Sequence, residues 1–94
     1  MEKFTKWDIA NVLITDKKIA EYLSVVLREG DPVLLIATLS DIVRIKGVAS
    51  VAKKANISRT GLYKTLAKDS DPKFSTIFKI LKTLNIELSA KIAA

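Results

Sequence analysis

Residues 47–66, GVASVAKKANISRTGLYKTL, constrain the fold more than any other part of the chain, because two apolar stripes at helical spacing are separated by only enough residues for a sharp corner. Val48, Val51, Ala52 and Ala55 mark the first helix, and Asn56 follows as a residue that accepts the left-handed conformation ending many helices. Ile57 then offers an apolar plug for the corner. Ser58 is a good N-cap, because its hydroxyl can accept from a free amide two or three residues on, and Leu62 and Leu66 give the second helix one apolar stripe. The expectation is a helix-turn-helix whose second helix presents Ser58, Arg59, Thr60, Tyr63 and Lys64.

The rest of the chain reads as helices arranged around this unit. Thr15 or Asp16 can cap a helix running to about Arg28, with Ile19, Leu23, Val26 and Leu27 inward and Gly30 as its stop. Asp31-Pro32 then restarts the chain, since Asp caps and Pro fits a first helical position where no amide hydrogen is missed. That second helix runs to about Lys46 and ends at Gly47. Its apolar residues exceed one face: Leu35, Leu39, Ile42 and Val43 form the expected stripe, and Val33, Leu34, Ile36 and Ile45 are surplus. Two readings fit, a central helix wrapped by its neighbours or a partner or dimer surface.

Beyond the helix-turn-helix, Lys68 to Pro72 form a polar turn, and a fifth helix is expected from about Phe74 to Leu84, with Asn85 as its left-handed terminator. Ile86, Leu88, Ala90 and Ile92 then alternate with Glu87, Ser89 and Lys91, a period of two that predicts a short C-terminal β-strand or tail over 86–94. Such a strand would pair with Lys3 to Trp7 in an N-terminal arm, residues 1–14, or with the same strand of a second subunit. The fold class is therefore all-α, five helices in one domain covering 1–94, with that strand added.

With no cysteine and no histidine, the chain lacks disulfides, thiolate or imidazole metal sites, Ser/His/Asp triads and cysteine nucleophiles. No pocket-like cluster of Asp, Glu, Lys or Tyr replaces them, so the expectation is a protein that is not an enzyme and holds no cofactor or metal. The longest apolar run, residues 33–37, is far below the roughly 20 residues of a membrane span, which points to a cytoplasmic protein. Charge is divided unequally. Residues 1–45 carry six basic and seven acidic side chains, a balance of −1, whereas residues 46–94 carry ten and three, a balance of +7. A lysine-rich half is also what a solvated surface looks like. Here it coincides with the helix-turn-helix, as a phosphate-binding surface requires.

On that reading Arg59 can pair bidentately with guanine, the Thr60 methyl can meet a thymine methyl, and Lys53, Lys54, Lys68 and Lys73 grip phosphates. Gly61 either lets the helix backbone approach the duplex or is a tolerated weakness of about 1 kcal/mol relative to Ala. Tyr63 is either a groove contact or a packing residue against the following turn.

Taken together, Trp7-Asp8, Tyr22-Leu23, Gly30-Asp31-Pro32, Gly47, Ile57-Ser58-Arg59, residues 62–66 (LYKTL) and residues 71–76 (DPKFST) resemble the helix-turn-helix antitoxins of addiction modules, the HigA-like "addiction module antidote" group. Members commonly carry Gly where this chain has Asn56. The resemblance covers nearly the whole chain and implies a lambda-repressor-like, Cro-type DNA-binding fold. It also implies a prokaryotic, cytoplasmic homodimer on a palindromic operator in double-stranded DNA, neutralising a RelE/ParE-like toxin and repressing the shared operon. Two alternatives stand beside it: a free-standing phage-type repressor without a toxin, and an interaction module that binds only the toxin.

Overall fold

The computed structural model describes residues 15–93. These form five helices: α1 (Asp16–Glu29), α2 (Pro32–Lys46), α3 (Val48–Ala55), α4 (Arg59–Thr65) and α5 (Phe74–Thr83). Each boundary follows from local chemistry. Thr15 caps α1 by accepting from the Lys18 amide at 3.2 Å, and Gly30 ends it in the left-handed region, φ 71°. Asp31 caps α2 by accepting from the Val33 amide at 2.9 Å, with Pro32 in the first turn.

Gly47 alone joins α2 to α3. Its amide donates to the Val43 carbonyl at 2.9 Å, closing α2, while its carbonyl accepts from the Val51 amide at 3.0 Å, opening α3. The backbone there has φ 105° and ψ 110°, which a residue with a Cβ adopts only under strain.

The pairs α1–α2, α2–α3, α3–α4 and α3–α5 pack together, so short α3 touches three neighbours. Its buried face is Val51, Ala52 and Ala55, small enough to let them approach. Ile19, Leu23, Leu39, Ile42, Leu62 and Ile80 are among the residues that fill the core. Within α2, Ile36, Leu39, Ile42 and Val43 are buried, and Leu35 and Ile45 pack partly against the same core. The central-helix reading holds for most of α2, but Val33, at its first turn, remains 60% exposed. Buried Thr38 donates its hydroxyl to the Leu34 carbonyl at 2.8 Å, so its polar atom is satisfied within its own helix.

Two expectations need correction. No strand forms among the described residues: 86–93 run on without a ladder, with Ile86 and Leu88 half-buried on the core and Ile92 fully in solvent. Alternating burial there comes from lying along the helices, not from pairing. Leu27, counted as inward, is 43% exposed because it faces an open groove between α1, α2 and α5 instead of the closed core. The N-terminal arm, including the pairing candidate Lys3 to Trp7, lies outside the described residues. No helix among those described is long and apolar enough to cross a membrane.

Candidate nucleic-acid interface

The corner between α3 and α4 is built from backbone hydrogen bonds that the sequence makes available. Asn56 sits at φ 57°, ψ 45°, its amide donating to Lys53, and the Ile57 amide reaches back to the Ala52 carbonyl at 2.9 Å. This pair of bonds satisfies the last carbonyls of α3 and turns Ile57 onto the core. The Ser58 oxygen accepts from the Gly61 amide at 2.9 Å and starts α4. That oxygen is thus committed to the cap, leaving the O–H as the group Ser58 can offer outward.

With α4 fixed at both ends, its seven residues divide cleanly. Leu62 is buried at 1% exposure, and Leu66 follows it into the core. Arg59, Thr60, Tyr63 and Lys64 are exposed, and at 100° per residue they share one arc of the helix. Lys53 and Lys54 are exposed at the end of α3, and Lys68 and Lys73 are exposed in the segment leading to α5. No acidic residue occurs between Asp41 and Asp69. The ion pairs among the described residues, Lys18–Glu21, Arg44–Asp41 and Lys46–Asp16, use none of these cations. The surface of α3 and α4 therefore presents uncompensated positive charge around a rod carrying a guanidinium, a hydroxyl, a phenol and an ammonium.

Gly61 has a reason that neither sequence reading anticipated. A Cβ built there would lie 2.9 Å from the Ser58 oxygen and 3.3 Å from Cγ2 of Ile57. The missing side chain points back at the corner, so glycine leaves room for the cap and the plug. Tyr63 is 54% exposed and packs toward α2 instead of the following turn. It borders a cavity of about 140 Å³ with Ser40, Val43, Arg44, Val48, Leu62 and Leu66. Arg44 was not singled out from the sequence; it stands beside Tyr63, its guanidinium held by Asp41 at 3.0 Å.

A second polar cleft, about 220 Å³, lies between the end of α2, the start of α3 and the end of α5, lined in part by Lys46, Ser50, Lys54 and Asn85. At its edge Lys46 donates to Asp16 at 3.0 Å. This hydrogen bond, with the polar Asn85 side chain nearby and the lysine's charge, holds the Asp16 carboxyl below the usual carboxylate range. The sequence carried no sign of the cleft, since its walls come from helices far apart in the chain.

Comparison with known proteins adds what geometry alone does not. Residues 3–92 match the family model described as "Probable addiction module antidote protein". A protein of Haemophilus influenzae (strain ATCC 51907 / DSM 11121 / KW20 / Rd), which carries the name "Uncharacterized protein", is 34% identical over 90 residues, spanning 96% of this chain and 93% of its own length. No solved structure matches. An antidote implies a toxin as partner and a regulatory role. The match over almost the entire length places the chain in the family of probable addiction module antidote proteins.

Proposed function

We propose that this chain is a DNA-binding antitoxin that represses its own operon and neutralises a RelE/ParE-like toxin encoded beside it. The observation that carries the DNA half is the acid-free surface of α3 and α4, with Arg59, Thr60, Tyr63 and Lys64 outward and Leu62 and Leu66 inward. In this reading α4 is the recognition helix of a helix-turn-helix, within a lambda-repressor-like domain. Ser58, Arg59, Thr60, Tyr63 and Lys64 meet base edges, and Lys53, Lys54, Lys68 and Lys73 hold phosphates. A homodimer places two such helices roughly 34 Å apart on a palindromic site. Membership of an antidote family favours this reading over a free-standing repressor.

The test is an electrophoretic shift with the DNA upstream of the chain's own gene. Wild type is expected to bind. Arg59→Ala is expected to lose about 1–3 kcal/mol of binding and to relax preference at one base position. A wild-type protein that binds this fragment no better than unrelated DNA of equal length refutes sequence-specific repression and leaves the toxin-only module.

A further inference from the structure

A groove of about 240 Å³ opens where the end of α1, the first turn of α2, the loop before α5 and α5 itself converge. Its lining is mainly apolar, including Leu27, Val33, Ile36, Phe74, Leu81 and Leu88, and none of it belongs to α3 or α4. Phe74 is 70% exposed, and its ring centroid lies 5.9 Å from that of Phe78, which is also exposed. Scattered apolar residues on a surface need no explanation, but a continuous concave patch signals a partner.

The charges around the groove narrow down that partner. The two bordering loops and their flanks carry Glu29, Asp31, Asp69 and Asp71, against Arg28, Lys68 and Lys73. All four carboxylates are exposed, and none enters an ion pair among the described residues. In a chain of net charge +6 this rim is net negative, the reverse of the α3–α4 surface. Nucleic acid is repelled by it. In a second copy docked symmetrically, the acidic loops of one subunit would face those of the other. The chain's own residues 1–14 offer Lys3 and Lys6 balanced by Glu2 and Asp8, and they join at Thr15, about 21 Å away along α1.

We infer that this groove docks a cationic protein that inserts apolar side chains between the two acidic loops; the inference rests on the antidote reading, in which that protein is the toxin. Partner and DNA then meet different faces, the groove and the α4 arc, which adjoin at the loop carrying Lys68 and Lys73.

The experiment measures Kd between the full chain and the product of the adjacent gene, by calorimetry, for wild type, Val33→Ser/Phe74→Ser and Glu29→Lys/Asp71→Lys. All four substituted positions, Glu29, Val33, Asp71 and Phe74, are solvent-exposed, and thermal melts check that the variants fold. Both double variants are expected to weaken binding at least tenfold, with wild-type affinity falling as salt rises, while the serine pair keeps wild-type promoter binding. Undiminished affinity in both variants overturns the groove assignment and leaves the antidote reading standing. A wild-type chain that does not bind the product overturns both. If sedimentation shows that Val33→Ser/Phe74→Ser converts a dimer to monomers, the occupant is a second copy and the proposal fails.

Discussion

Asn56 and Asn85 solve the same problem at two helix ends. Both are left-handed, at φ 57° and 64°, and in both the next residue is an isoleucine whose amide reaches five residues back at 2.9 Å. A residue with a Cβ and no amide side chain loses about 1–2 kcal/mol in that conformation. Asn56→Ala is therefore expected to lower stability by about 1 kcal/mol, and Asn56→Gly to leave it unchanged or slightly raised, as read from urea denaturation midpoints. The Ser58–Gly61 pair supplies a second test at this scale. Gly61→Ala gains up to about 1 kcal/mol of helix propensity, but its methyl displaces a cap of similar worth. Near-zero net change is expected in wild type and a clear gain in a Ser58→Ala background, so the double-mutant cycle should show coupling between the two positions.

At the scale of helices, what the sequence made legible was whatever depends on neighbours in the chain. Thr15, Asp31 and Ser58 act as caps, Gly30, Asn56 and Asn85 as stops, and the five helices lie where those signals put them. What depends on distant partners was not legible: the burial of Ile86 and Leu88 looked like a strand face, and Leu27 looked like core. Of the candidate interface, exposure of the α4 arc followed from the position of Leu62 and Leu66, whereas Arg44 beside Tyr63 required the fold. Gly47 offers a prediction here. A Cβ would meet nothing closer than Ser50 Cβ at 3.9 Å, so Gly47→Ala has space, and its expected loss of about 1–3 kcal/mol is backbone strain alone.

The tie between Asp16 and Lys46 makes a further prediction, for pH. Because the folded carboxyl is held below its ordinary value, the stabilisation is complete above the unfolded carboxylate range and vanishes as pH falls through the folded one. Asp16→Asn should thus be less stable than wild type at neutral pH, with the two converging in strong acid when melting temperatures are compared. Screening at this exposed site keeps the difference small.

For the whole molecule, charge is sorted by surface: cations without carboxylates along α3 and α4, and an acidic rim around the groove at the other ends of α1 and α5. If about six phosphates are neutralised per dimer, log affinity for DNA should fall against log salt with a slope on the order of −5. A slope near zero between low and physiological salt would remove the electrostatic basis of the proposed interface.

Gly47 leaves no slack between the rod that borders the groove and the unit that carries α4. The first turn of α2 and its last residue belong to one stiff lever about 22 Å long, with the single residue Gly47 as fulcrum. If occupancy of the groove shifts this lever, toxin and operator should each rescale the other's grip by an identical ratio. Titrating one in the presence of the other, in both orders, would read that ratio directly, and a value of one would mean the fulcrum yields.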